Sequence, residues 1–244
     1  MTAAAVTPIS RQTAGDQVAE AIRRQIWDGR LHSGDRLNQE ALAAQLGVSR
    51  IPVREALMGL EREGVVRVIP HRGAFVETID QRTVADHFEL YALVDSFALR
   101  KACERADDTQ LPELAGAYER AGAIEDPDLL QAAVVEARAI LHELGGSPRF
   151  RAVARGLAGI VPGNFFSAVD GSLGVAHRWL PQVASSTAAR DAPGAVAAYT
   201  GMMTAQGRLV LAALGRRGVI VTDTDTDTDT DTDRSTEPTD QEVP

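Results

Sequence analysis

The stretch Gly47–Gly64, "GVSRIPVREALMGLEREG", sets Arg50 and Arg54 one helical turn apart with Pro52 between them. At about 100° per residue, Val53, Ala56, Leu57 and Leu60 share one face of a helix, while Arg50, Arg54 and Glu61 lie on an adjoining one. Ser49 stands where an N-cap belongs, and Pro52 falls in the first turn, where its missing N–H costs nothing. The arginines therefore lie outside the core this helix packs against. Two readings stand for them: a solvated face with ion pairs to Glu55 or Glu61, or a surface that reads a partner.

The flanks decide the setting of that helix. Upstream, "NQEALAAQLG" (38–47) forms a short helix through Leu42 and Leu46 that Gly47 ends, and only Val48 and Ser49 separate it from the next. Two helices joined by so short a glycine-containing turn are the signature of a helix-turn-helix. Before them, residues 11–28 place Val18, Ile22 and Ile26 at fourfold spacing with Arg23 and Arg24 outward, an amphipathic helix closed by Gly29. "GRLHSGDRL" then reads as turn chemistry. After Gly64 the period changes to β-branched runs, "VVRVI" and "AFV", split by "PHRG". A hairpin behind a helix-turn-helix makes a winged helix.

From Asp80 the pattern is helical almost to residue 218, with helices expected at 82–105, 109–123, 127–145, 148–160, 164–190 and 193–215. The fold class is mostly α: a winged helix-turn-helix over 10–78, followed by an all-α antiparallel bundle over 79–218. Residues 1–9 are expected to be a flexible arm, and 219–244, with its Thr-Asp repeat, a disordered acidic tail. The alternating aspartates resemble the start of a calcium loop. They lack its glycine and its closing glutamate, so the tail reads as a solubilising segment or an electrostatic brake on nucleic-acid binding.

The chain of 244 residues, 44% of them hydrophobic, is long enough to bury a substantial core. No apolar run approaches the roughly 18 residues of a membrane span, and the N-terminus lacks a signal-peptide pattern, so a cytoplasmic location with no membrane partner is expected. Cys103 is the single cysteine, which rules out an intrachain disulfide and a cysteine-based zinc site. The net charge of -9 argues against nucleic acid only until it is divided along the chain. Residues 1–79 carry ten Arg and nine Asp/Glu, whereas 219–244 carry one Arg and nine acids. The acidity belongs to the tail, and a local basic face can decide what the first segment binds.

Together, "IRRQIWDGRLHSGDRL" and "LNQEALAAQLGVSRIPVREALMGLEREGVVRVIPHRGAFV" closely resemble the DNA-binding domain of GntR-family transcription regulators, over nearly all of 11–78. The resemblance implies that α-helical residues Arg50 and Arg54 read base edges in the major groove of double-stranded operator DNA. It further implies that Ser49, Ile51 and Pro52 shape the approach and that Arg36 holds the backbone. His71, Arg72 and Gly73 would form the wing tip. The bundle, by its length and by "LHELGGSPRF" and "AARDAPGAVAAYTGMM", resembles the FCD type of effector domain.

Many members of that type hold a divalent metal through an Asp and three His. Those positions fall here at Val134, Arg138, Leu180 and Met202, none an ordinary ligand, so no metal and no cofactor are expected. His142 and His177 lie about a turn away, but in parallel helices their shifts diverge by roughly 10 Å at 1.5 Å per residue. The resemblance thus leaves an effector pocket around Arg138, His142, His177, Val134, Leu180 and Met202. Arg138 would either grip a carboxylate directly or pair at the surface with Glu136 or Glu143.

The expected function is a homodimeric transcription regulator, a repressor by the family's usual mode. It would sit on a pseudo-palindromic operator and respond to a small-molecule effector bearing a carboxylate. The alternative is a ligand-independent regulator whose degenerate bundle only dimerises. An enzyme is not expected: no phosphate-cradling glycine loop or nucleophile elbow occurs, and a lone helical Cys103 reads as a packed residue.

Overall fold

The computed structural model describes residues 13–157 and 161–220. The chain begins with α1 (Ala14–Trp27), whose Thr13 and Asp16 form a reciprocal capping box. After β1 (Arg36–Leu37), Asn38 caps α2 (Gln39–Leu46) through its side chain, and Gly47 closes α2 in the left-handed conformation at φ 66°. After Val48 and Ser49, α3 (Arg50–Arg62) starts; Ser49 holds the N-cap position, but its hydroxyl makes no capping bond. As the periodicity predicts, α3 buries Val53, Ala56, Leu57 and Leu60.

The wing is β2 (Val66–Ile69) and β3 (Gly73–Val76), antiparallel, with Arg67 opposite Phe75. Its outer neighbour is β1, giving the order β1-β3-β2. This third strand lies where turn chemistry alone was expected.

The helical domain comprises α4 (Gln81–Arg105), α5 (Gln110–Gly122), α6 (Pro127–Gly145), α7 (Pro148–Arg155), α8 (Phe165–Ala168), α9 (Ser172–Ala188) and α10 (Ala192–Arg216). Within it α10 packs on α4 and α9, and α5 on α9 and α6, while α6 also meets α4. Two of the expected helices differ. The one expected over 148–160 ends at Arg155, and the one over 164–190 is broken between Ala168 and Ser172. Gly171 takes φ 83° there, and the Ser172 hydroxyl donates back to the Phe166 carbonyl, so the chain turns before α9 begins.

One core fills the middle of the bundle. A second joins the head to the bundle, running from Ile22, Trp27 and Leu60 to Val84 and Phe88 of α4 and Val210 and Leu214 of α10. Val219 is buried in it and its N–H donates to the Leu214 carbonyl. The boundary drawn at 218 therefore falls inside packed structure. The arm over 1–9 and the Thr-Asp repeat lie outside the described residues. Among the described residues no helix is long and apolar enough to cross a membrane.

Candidate functional site

The outer face of α3 carries the residues singled out in the sequence. Ser49, Arg50, Ile51 and Arg54 are exposed, Ile51 at 69%, while Pro52 is half-buried. An isoleucine this open at the head of a helix has no role in the core, and apolar contact with a thymine methyl is one use for it. Arg50 does not pair with Glu55 or Glu61. Its Nη2 lies 2.5 Å from Glu40 Oε1 on α2, both side chains being largely exposed. Glu61 instead accepts from the Val68 backbone N–H at 3.3 Å. Arg54 makes no ion pair among the described residues.

The wing turn brings the remaining residues together. Arg72 N–H donates to the Ile69 carbonyl at 3.0 Å, His71 sits at φ 62° and both side chains are exposed. A Cβ added at Gly73 would lie 3.3 Å from Arg36 Nε, so the Arg36 side chain crosses the base of the wing. Arg36, His71, Arg72 and Gly73 thus form one surface. Arg67 on β2, which the sequence reading did not single out, adds an exposed guanidinium 3.5 Å from Glu77.

A partly open cavity of about 360 Å3 lies along the bundle. Val134, Arg138, Leu180 and Met202 all line it; His142 and His177 do not. A divalent metal does not fit this set, because two aliphatic chains, a thioether and a guanidinium offer no hard anionic or imidazole donors. His142 is turned to Asp95, its Nε2 2.6 Å from Oδ1, and it meets the Phe150 ring edge-on. His177 donates from Nε2 to the Ile124 carbonyl at 2.8 Å.

Asp95 is the residue that the sequence reading missed. It is fully buried on α4 and accepts three further bonds: from Arg138 Nε at 2.8 Å, from Arg138 Nη2 at 3.5 Å, and from the Tyr199 hydroxyl at 2.6 Å. Arg138 therefore pairs with neither Glu136 nor Glu143, and the Nε side of its fork is already engaged. A free fork for an incoming carboxylate is not what the structure presents. The guanidinium also lies 4.0 Å over the Tyr91 ring.

The protonation states follow from these contacts. Burial alone would raise the Asp95 carboxyl. The bond from His142, the charge and bond of Arg138 and the Tyr199 hydroxyl outweigh it and hold Asp95 below the usual carboxylate value. Burial, with nearby Asp95 adding, pushes the Tyr91 hydroxyl up to about 12, and Tyr118 and Tyr199 shift the same way. All three are neutral donors at neutral pH. Burial likewise raises the Cys103 thiol, which disfavours the nucleophilic thiolate.

One signal for Asp95 was present in the sequence. Ala92, Asp95, Leu99 and Ala102 recur at helical spacing, so an acid interrupts the stripe that α4 buries.

With this geometry in view, comparison with known proteins is direct. Residues 14–76 match the family "Bacterial regulatory proteins, gntR family". An uncharacterised HTH-type transcriptional regulator of Mycobacterium tuberculosis, Rv0043c, is 30% identical over 206 residues, covering 84% of each chain. The gluconate operon transcriptional repressor of Bacillus subtilis is 32% identical over 93 residues, 38% of each chain. Among solved structures, E. coli McbR/YncC shares the fold with a TM-score of 0.55 and 22% identity, over 82% of this chain and 98% of its own. The two sequence relatives are named as transcriptional regulators, and the chain belongs to the GntR family of DNA-binding transcription regulators.

Proposed function

We propose that the protein is a homodimeric repressor that binds a pseudo-palindromic operator in the cytoplasm and responds to a small, carboxylate-bearing molecule held in its helical domain without a metal. On this reading Arg50 and Arg54 read base edges from α3, with Ser49, Ile51 and Pro52 at the groove. Arg36, His71, Arg72 and Gly73 hold the flanking backbone. The observation that carries the reading is the solvent-facing Arg54 and Ile51 on a helix whose other face is fully packed. Repression takes support from the gluconate relative, which is named a repressor.

Dimerisation takes support from α4. Leu90, Leu93 and Phe97 stand exposed at heptad-like spacing, and the Phe97 ring stacks on Phe150 of α7. A stripe of this kind fits a second copy of the chain. The ligand-independent alternative loses ground to the cavity itself, because a bundle kept only for dimerisation gains nothing from an unfilled interior.

Selection of bound duplexes from random double-stranded DNA tests the reading. Enriched sequences should be inverted repeats, and native mass spectrometry should find two chains per duplex. Leu93→Glu combined with Phe97→Glu should give a monomer with operator affinity reduced by at least about tenfold. Enrichment of unrelated sequences, or a monomer on DNA, would refute it.

A further inference from the structure

The cavity is not confined to the bundle. Glu20 and Arg23 of α1, the first helix of the head, line it together with Arg138, Tyr118 and Gln206. Among the described residues five buried side-chain atoms lack a hydrogen-bond partner: Glu20 Oε1, Arg23 Nε, Tyr118 OH, Gln206 Oε1 and Thr187 Oγ1. The first four belong to residues that line this one cavity. Buried polar atoms without a hydrogen bond are costly and rare in a folded protein. Glu20 keeps long ion-pair contacts, Oε1 3.8 Å from Arg24 Nη2 and Oε2 3.6 Å from Arg23 Nη1, whereas Arg23 Nε, Tyr118 OH and Gln206 Oε1 mark a place that a hydrogen-bonding ligand completes.

Their types restrict that ligand. Arg23 Nε–H and the Tyr118 hydroxyl are donors, and Arg138 keeps N–H groups beyond those given to Asp95, so this set suits a carboxylate. Glu20 Oε1 and Gln206 Oε1 accept, which suits a hydroxyl elsewhere on the same molecule. Phe88, Phe165, Phe166 and Leu180 form apolar walls that match a flat ring.

Arg23 also reaches beyond the cavity. Its Nη2 donates to Glu63, the C-cap residue of α3, and both side chains are mostly buried. A group that engages Arg23 from the cavity therefore acts on the residue that ties α1 to the end of the DNA-reading helix.

The geometry points to an effector site shared between bundle and head: a hydroxylated aromatic monocarboxylate binds across Arg138, Tyr118, Gln206, Glu20 and Arg23. It acts on α3 through the Arg23–Glu63 pair. This inference rests on the effector reading above and specifies its ligand class and its route.

The test uses the full-length protein with 4-hydroxybenzoate, benzoate and 4-hydroxybenzamide as probes, by calorimetry and by amide hydrogen exchange without DNA. The hydroxy acid should bind at least about tenfold more tightly than its amide and about threefold more tightly than benzoate. Tyr118→Phe, which removes only an unpartnered hydroxyl, should weaken it at least about threefold without lowering the melting temperature. Bound 4-hydroxybenzoate should slow exchange in α1 and in the second half of α3. Glu63→Gln should bind the probe within about twofold yet lose the protection in α3.

Equal binding of the amide, or no binding below about 10 mM, overturns the ligand class. Protection confined to residues 81–216 overturns the shared site, and α3 protection that survives in Glu63→Gln overturns the route. Failure of operator selection is read in a separate assay and bears on the regulator reading alone.

Discussion

Arg54 and His87 show how much one side chain decides. Arg54 is open to solvent and has no ion pair among the described residues, so replacing it by alanine removes no internal contact that an ion pair would supply. Arg54→Ala should leave the melting temperature within about 1 °C, while costing roughly 1–3 kcal/mol of discrimination between the selected operator and a scrambled duplex. Fluorescence anisotropy on both duplexes measures this, and preserved discrimination would place the reading face elsewhere.

His87, half-buried on the cavity wall, titrates in the opposite sense from a histidine in an ion pair. Burial, reinforced by the nearby Arg138 charge, lowers its pKa. In the unfolded chain that value is about 6.5, so below it the unfolded state binds more protons than the folded one. The stability tied to neutral His87 is thus complete above about pH 6.5 and is lost as the pH falls through that value toward the lower folded pKa. Chemical denaturation between pH 7.5 and 5.5 should show a steeper loss of stability for the wild type than for His87→Gln. Identical slopes would mean that the buried imidazole carries no linkage.

Among the elements, the long helices were the legible part. Periodicity and caps place α4, α5, α6 and α10 within a residue of their observed ends, because Asp80, Asp126 and Asp191 cap α4, α6 and α10 through their side chains. What escaped is structure that carries no period. A two-residue strand such as β1 has none, and its existence depends on β3 lying beside it. The break before α9 was hidden because a lone glycine in an apolar helical run is usually tolerated. Here Gly171 is instead the residue that lets the chain reverse.

Gly145, at the end of α6, shows a packing constraint of the same unreadable kind. A Cβ there would fall 2.0 Å from the Ala98 carbonyl oxygen and 2.7 Å from its Cα, both backbone atoms of α4. Since neither helix can yield without moving its neighbours, Gly145→Ala should destabilise the protein by at least about 2 kcal/mol, despite alanine's better helix propensity. Thermal unfolding of the purified variant checks it. An unchanged or raised melting temperature would show that α4 and α6 slide apart freely.

At the scale of the whole molecule, sequence patterns separate a head from a bundle but cannot show that the two share a core. Arg23 reads as an outward residue of an amphipathic helix, yet with Glu20 it lines a cavity whose other walls belong to the bundle. The same contact relocates the end of the fold. Val219 is 3% exposed, Ile220 packs against the same cluster and Arg217 lies 4.6 Å over the Trp27 ring of α1. Gly29 approaches this segment so closely that a Cβ would meet the Arg217 carbonyl at 2.8 Å. A chain ending at Gly218 would lose the buried valine that plugs head against bundle, at a cost of about 1.5–3 kcal/mol. One ending at Ile220 would retain it. The shorter chain should therefore melt lower, by about 3–8 °C, and its α1 amides should exchange faster, whereas α5 and α6, which draw on the other core, should be little affected. Equal melting temperatures for the two truncations would mean that head and bundle hold together without this segment, through the α4 and α10 residues of the shared core alone.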